Sequence, residues 1–213
     1  MNLQLVIGNK NYSSWSMRAW LFLKHIDAEF EEIPISVYVR GAREEVQDRG
    51  GETGLVPVLI VDGFPIWDTF AIAEFLHESF GRIWPSDVRQ RARARSYAGE
   101  VHSGLSALRN AMPVNCRGRA RKAVRTEAVE ADIERVIAIW SRHREGSWLF
   151  GDFCGADIMF APVATRFRTY GVSIPEPTHA YMQRLLTHPL IEKWFALGEA
   201  EATVIPQFEL PAA

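Results

Sequence analysis

"VPVLIVDGFPIWDTFAIAEFLHESFG", residues 56–81, carries the decisive local signals of this chain in one run. Two apolar segments meet at Asp62-Gly63, a dipeptide suited to a two-residue hairpin because both positions tolerate positive φ. Beyond Trp67 the spacing changes. Phe70, Ala73 and Leu76 or His77 recur at helical intervals, and Gly81 supplies a C-terminal stop. A hairpin running straight into a helix is expected.

Upstream, "LQLVI" (3–7) has the composition of a buried strand. From Ser16 to Ile26, Met17, Trp20, Leu21 and Leu23 give an apolar helical face. "FEEIPI" (30–35) is strand-like, with Pro34 placing it at a sheet edge or a strand end. Residues 41–49 have helical spacing and stop at Gly50-Gly51. The order β-α-β-α-β-β-α, with short connections and right-handed crossovers, predicts a four-stranded α/β domain over 1–80. "GRIWPSD" (81–87) then forms a linker, where Pro85 halts one element and Ser86 or Asp87 caps the next. Downstream the pattern is helical, over about 87–111, 119–143, 155–170, 178–187 and 189–198. An all-helical unit over 88–213 is expected, with no strand.

The 213 residues carry a formal net charge of −2, with 47% apolar and 23% charged side chains. That balance lacks the strongly basic face of a nucleic-acid binder. The apolar runs 55–61 and 158–164 are far too short to span a bilayer. Cys116 and Cys154 form no C-x-x-C and have no metal-ligand spacing, so neither a metal site nor a disulfide framework is expected. The N-terminal apolar stretch lacks a small-residue cleavage site, and a reducing, cytoplasmic setting is expected.

The order of elements, followed by a helical domain, resembles the cytosolic glutathione transferases. Three motifs carry that resemblance. Ser13-Ser14-Trp15-Ser16-Met17-Arg18 is similar to the S-S-C-S-x-R signature of the zeta class. Gly54-Leu55-Val56-Pro57-Val58-Leu59 is similar to the family's Val-Pro stretch with its cis-proline. Ile66-Trp67-Asp68-Thr69-Phe70-Ala71-Ile72 is similar to the family's acidic-Ser/Thr turn. The resemblance implies a thioredoxin-like N-terminal domain that binds glutathione as co-substrate, a helical domain that forms the electrophile pocket, and a homodimer.

On that resemblance Ser13 is the thiolate-stabilising serine and Ser14 the second choice, while Ser16 is a cap or first-turn residue. A thiol of pKa near 8.5 needs roughly 2.7 kcal/mol of preference for the thiolate to move down by about two units. A hydroxyl donating to an anion supplies about 1.5–3 kcal/mol and a helix N-terminus about 0.3–1. No general base is then required. A covalent serine nucleophile would need one, and the nearest histidine in sequence, His25, lies about 18 Å along the helix. Three serines that only cap and turn are the structural alternative.

Val56-Pro57 is expected to pair with the cysteinyl part of glutathione, or else simply to begin a strand. Asp68 and Thr69 would hold the γ-glutamyl ammonium and carboxylate at a helix start, a role compatible with plain capping. Trp15 stands where the zeta pattern has cysteine and gives the pocket an aromatic wall. Glu100-Val101-His102 resembles a pair in which the glutamate reaches the partner subunit's glutathione and the histidine borders the acceptor pocket, with Arg109 and Met112 as further lining. Phe208 in the C-terminal tail also belongs to that expected pocket. Cys154, in "CGAD" (154–157), replaces a capping hydroxyl and is expected to be buried and inert. The arginines at 89, 91, 93, 95, 117, 119, 121 and 125 are read chiefly as solvated charge.

The implied activity is transfer of glutathione to a small electrophile. Glutathione-dependent cis–trans isomerisation is the alternative enzyme, disfavoured by Trp15. A binding protein that kept the fold without turnover is the third reading.

Overall fold

Leu3, Leu5 and Ile7 alternate along strand β1 (Leu3–Ile7) and enter the main core, while Val6 points to the opposite face, beside Ile35, Ala42, Val46 and Val58. A central strand covered on both faces follows from that period of two. The computed structural model describes residues 1–143 and 147–212; residues 144–146 and 213 of the expected 88–213 unit lie outside the described residues.

The elements of the first part are β1, α1 (Ser14–His25), β2 (Glu31–Pro34), α2 (Ala42–Asp48), β3 (Val58–Val61), β4 (Phe64–Ile66) and α3 (Thr69–Phe80). The sheet order is β2-β1-β3-β4, with β1 parallel to β2 and antiparallel to β3. This is the expected α/β arrangement. Asp62 (φ 49°) and Gly63 (φ 87°) make the hairpin turn, and Gly81 closes α3 in the left-handed region. Helix α1 starts two residues earlier than Ser16 because Ser13 caps it, accepting from the Ser16 N–H at 3.3 Å.

Residues 81–87 contain neither helix nor strand. They dock on the later helices, since the Gly155 N–H donates to the Ile83 carbonyl at 2.7 Å. A Cβ on Gly155 would come within 2.6 Å of the Trp84 ring, so only glycine allows that approach.

The second part carries α4 (Val88–Ser103), α5 (Ser106–Ala111), α6 (Glu127–Trp140), α7 (Gly155–Tyr170), α8 (Thr178–Leu186) and α9 (Pro189–Ala200). Two helical expectations need correction. The 87–111 stretch breaks at Gly104-Leu105, where Leu105 adopts φ 55°; the Arg109 guanidinium satisfies the freed carbonyls of Val101 and His102, at 3.2 Å each. Residues 119–126 are not helical. They are tied to the C-terminal tail by an Arg121–Ala212 bridge and a Lys122 N–H to Pro211 carbonyl bond. Helix α6 therefore waits for the Thr126 cap.

The arginines are also more engaged than solvated charge. Arg91 bonds the Pro85 and Ser86 carbonyls, and Arg95 pairs with Glu74 of α3 at 2.5 Å. Arg117 and Arg121 bond the tail carbonyls of Thr203 and Leu210, Arg119 bonds the Cys116 and Gly118 carbonyls, and Arg125 pairs with Glu130. Burial pushes the Cys116 thiol up to about 12 and Cys154 well above its usual value, so neither offers a thiolate. Among the described residues, no helix is long and apolar enough to cross a membrane.

Candidate functional site

The loop after β1, the start of β3 and the start of α3 converge at one end of the sheet. They wall a cavity of about 670 Å³, lined among others by Ser13, Trp15, Val56, Pro57, Asp68, Thr69 and His102. Three stretches remote in sequence are thus brought to one space.

Ser13 is buried, at 7% exposure, and its hydroxyl lies 2.8 Å from that of Ser16. Ser16 also accepts the Gly8 N–H at 2.9 Å. The two serines therefore join the end of β1 to the first turn of α1. Ser14, the first helical residue, is not on the cavity wall. His25 sits at the far end of α1 and bonds the Arg82 carbonyl.

The Val56-Pro57 peptide is cis, and so is Trp67-Asp68. Asp68 has a double commitment. Its Oδ1 accepts the Phe70 and Ala71 N–H groups at 2.9 and 3.1 Å, capping α3, while His102 Nε2–H donates to Oδ2 at 2.7 Å. That last bond joins the sheet domain to α4. The His102 ring meets the Trp15 ring edge-on, with centroids 5.2 Å apart, and its buried Nδ1 has no hydrogen-bond partner.

Glu100, Arg109 and Met112 do not reach the cavity wall. Glu100 is bonded by Arg135, which holds its carboxyl below the usual range. Arg109 lies over Trp15, 5.5 Å from the ring centroid. Met112 is buried at 1% exposure, its carbonyl taken by Arg166. Phe208 packs edge-on against Tyr38, a lining residue, at 4.8 Å.

The sequence reading missed Tyr38, Arg43 and Thr53, which close the opposite side. They follow β2 or precede Pro57 in stretches with no motif. The Asp68–His102 bond was also missed, because no local rule links two residues so far apart.

The glutathione S-transferase N-terminal domain model matches residues 12–79. Over 186 residues the chain is 30% identical to maleylacetoacetate isomerase of Rattus norvegicus, covering 81% of this chain and 82% of that protein. This chain belongs to the glutathione S-transferase family. Within that family, a 100-residue segment is 32% identical to probable maleylacetoacetate isomerase of Caenorhabditis elegans, covering 46% of this chain and 45% of that protein. A glutathione transferase homolog from Burkholderia gl BGR1, solved with bound glutathione, superposes with a TM-score of 0.75 at 24% identity, covering 94% of this chain and all of that one. That likeness concerns the fold: a thioredoxin-like N-terminal domain with a mixed four-stranded sheet, followed by a helical part.

Proposed function

We propose that this chain binds glutathione in the cavity at the start of α1 and transfers its thiolate to a small electrophile. The observation that carries this reading is the convergence of Ser13, Val56-Pro57, Asp68 and Thr69 on one space of about 670 Å³. The γ-glutamyl end lies at the start of α3, where Thr69 and the helix N-terminus favour its carboxylate and Asp68 its ammonium. The cysteinyl backbone runs along Val56, which leaves the sulfur at Ser13.

Ser16 sets the direction of the Ser13 hydroxyl. Its oxygen accepts both the Ser13 hydroxyl proton at 2.8 Å and the Gly8 N–H at 2.9 Å. When glutathione binds, the Ser13 hydroxyl rotates and its proton turns from Ser16 to the sulfur. That bond, with the α1 N-terminus, supplies the roughly 2.7 kcal/mol needed to lower a thiol by about two units. The thiolate attacks the electrophilic carbon, a C–S bond forms, and the leaving group departs with the bonding pair.

Isomerisation is the second reading, favoured by the 30% identity to a maleylacetoacetate isomerase. There the thiolate would add to a double bond, allow rotation and be expelled again. Trp15, in place of the zeta cysteine, sets this chain apart from that pattern. We also propose that this chain, with a glutathione-binding unit over 1–80 and a helical unit over 88–213, forms a homodimer through the helical unit, with Glu100 near the partner's site.

Ser13→Ala should lower kcat/KM about 10- to 100-fold with a panel of electrophiles, while Ser14→Ala stays within about threefold. Unchanged activity in both variants would sink the serine mechanism.

A further inference from the structure

Behind Trp15 the protein assembles positive charge without an ion-pair partner. Arg18 of α1 and Arg166 of α7 are 1% and 4% exposed, and Arg109 of α5 is half-buried. The Arg18 and Arg109 guanidiniums lie 4.7 and 5.5 Å from the Trp15 ring centroid. Trp15 also lines the cavity.

Their hydrogen-bond partners are all carbonyls. Arg18 donates to Met159 and Ser14 at 3.0 and 3.4 Å, Arg166 to Met112 and Pro162 at 2.8 and 3.2 Å, and Arg109 to Val101 and His102. No ion pair among the described residues includes any of the three. The cations repel one another: burial, then Arg166 and Arg109, hold Arg18 well below its usual value, and burial with Arg109 lowers Arg166 to about 10. Guanidinium groups stay protonated inside proteins, so all three carry charge. Asp132, whose carboxylate accepts the Leu108 N–H, is the one acidic group that favours the charged form of Arg109.

Cations taken out of water are costly unless an anion answers them. The titratable groups lining the cavity are Tyr38, Arg43, Asp68 and His102. Asp68 is the sole carboxylate there among the described residues, and its oxygens are bonded to the α3 cap and to His102. No carboxylate of the cavity lining is therefore left to answer the three cations, and Asp132 answers Arg109 alone.

We propose that Arg18, Arg109 and Arg166 form a cationic seat behind Trp15, whose missing counter-charge is the sulfur of bound glutathione held as thiolate. The inference rests on glutathione binding in this cavity and adds a second source of activation to the Ser13 hydroxyl. Arg18 folds back onto the Ser14 carbonyl, next to Ser13, so its charge sits within one turn of the helix start. A buried field of this kind is fixed before the reaction and weakly screened by salt.

The test titrates glutathione in its complex with the full chain by the ultraviolet absorbance of the thiolate, beside the Kd of S-methylglutathione. Arg109→Gln, which keeps one donor for the carbonyls, should raise the thiol midpoint by about one pH unit. Arg109→Lys should restore it. Asp132→Asn, which keeps the acceptor for Leu108 but removes the negative charge, should lower it. The Kd for S-methylglutathione should stay within about twofold throughout. A midpoint unmoved in Arg109→Gln and Asp132→Asn, or displaced equally by Gln and Lys, would overturn the cationic seat while leaving glutathione binding intact. Failure of the wild-type chain to bind S-methylglutathione would overturn both.

Discussion

Asp68 divides its two oxygens between a helix cap and a contact with another helix. Oδ1 caps α3 and Oδ2 faces His102. Asp68→Ala removes both functions and should cost about 0.5–2 kcal/mol, roughly 2–4 °C in Tm per kcal/mol for a chain of this size. Asp68→Asn keeps an acceptor for the cap but loses the charge. It should nearly hold Tm while weakening glutathione about tenfold, the worth of one charge-assisted bond. Equal Tm losses in the two variants, with unchanged Kd, would remove Asp68 from the binding role. Ser13 and Asp68 were legible in the sequence because helix starts are encoded locally, by a short polar side chain before an apolar periodic run. The partners that complete the site were not legible. His102 reaches Asp68 only through the packing of α4 on α3, Tyr38 arrives on the loop between β2 and α2, and Arg43 on α2, whose helical spacing does not say which cavity it faces.

At the level of elements, the first part was read almost completely, since each strand and helix there carries its own period and stop. The second part was read less well. Residues 87–111 carry one helical pattern, and the break at Gly104-Leu105 is sealed by a contact that pattern does not record, Arg109 bonding the freed carbonyls. Segment 119–126 is rich in charged residues that fit any solvated element, so its spacing does not separate helix from loop. Glu32 of β2 gives a prediction at this scale. It accepts the Trp20 indole N–H of α1 at 2.6 Å and the Lys10 ammonium at 2.5 Å. Burial alone would push its carboxyl up, but those bonds more than offset it, and its pKa is lowered. A carboxyl lowered by folding stabilises the native state above its unfolded value, near 4.5, and that stability is lost as pH falls through the native value. Glu32→Gln keeps the bond to Trp20 and loses the ion pair. It should be less stable than wild type by about 0.5–1.5 kcal/mol at pH 7, and the gap should narrow in urea titrations as pH falls below the unfolded value. A gap constant over that range would show that ionisation of Glu32 contributes nothing.

Across the whole molecule, the chain returns at its end to the loop that carries the candidate catalytic serine. The Glu201 carboxylate accepts the Lys10 and Asn11 N–H groups at 2.7 and 3.0 Å. The Glu209 carboxylate takes the Tyr12 hydroxyl at 2.6 Å and Arg121 at 2.8 Å. Arg117 ties Tyr12 to the Thr203 carbonyl. Helix α9 approaches so closely that a Cβ on Gly198 would lie 3.2 Å from the Asn11 backbone. The tail therefore braces the segment 9–13 from outside the sheet domain, and the position of Ser13 depends on residues almost two hundred positions away. Glu201→Ala leaves two part-buried N–H groups without an acceptor, at a cost of about 1–3 kcal/mol. Because the damage is confined to one loop, it should appear first as local opening. Hydrogen exchange at Lys10 and Asn11 should accelerate about 10- to 100-fold, with amides of β1 unaffected. Transfer activity should fall while the far-ultraviolet helix signal persists. Arg49→Ala, which breaks an exposed pair with Glu45, is the matched control and should change stability by less than about 0.5 kcal/mol. If Glu201→Ala exchanged and turned over like Arg49→Ala, the tail would cover the loop without bracing it, and the sheet domain alone would be what positions Ser13.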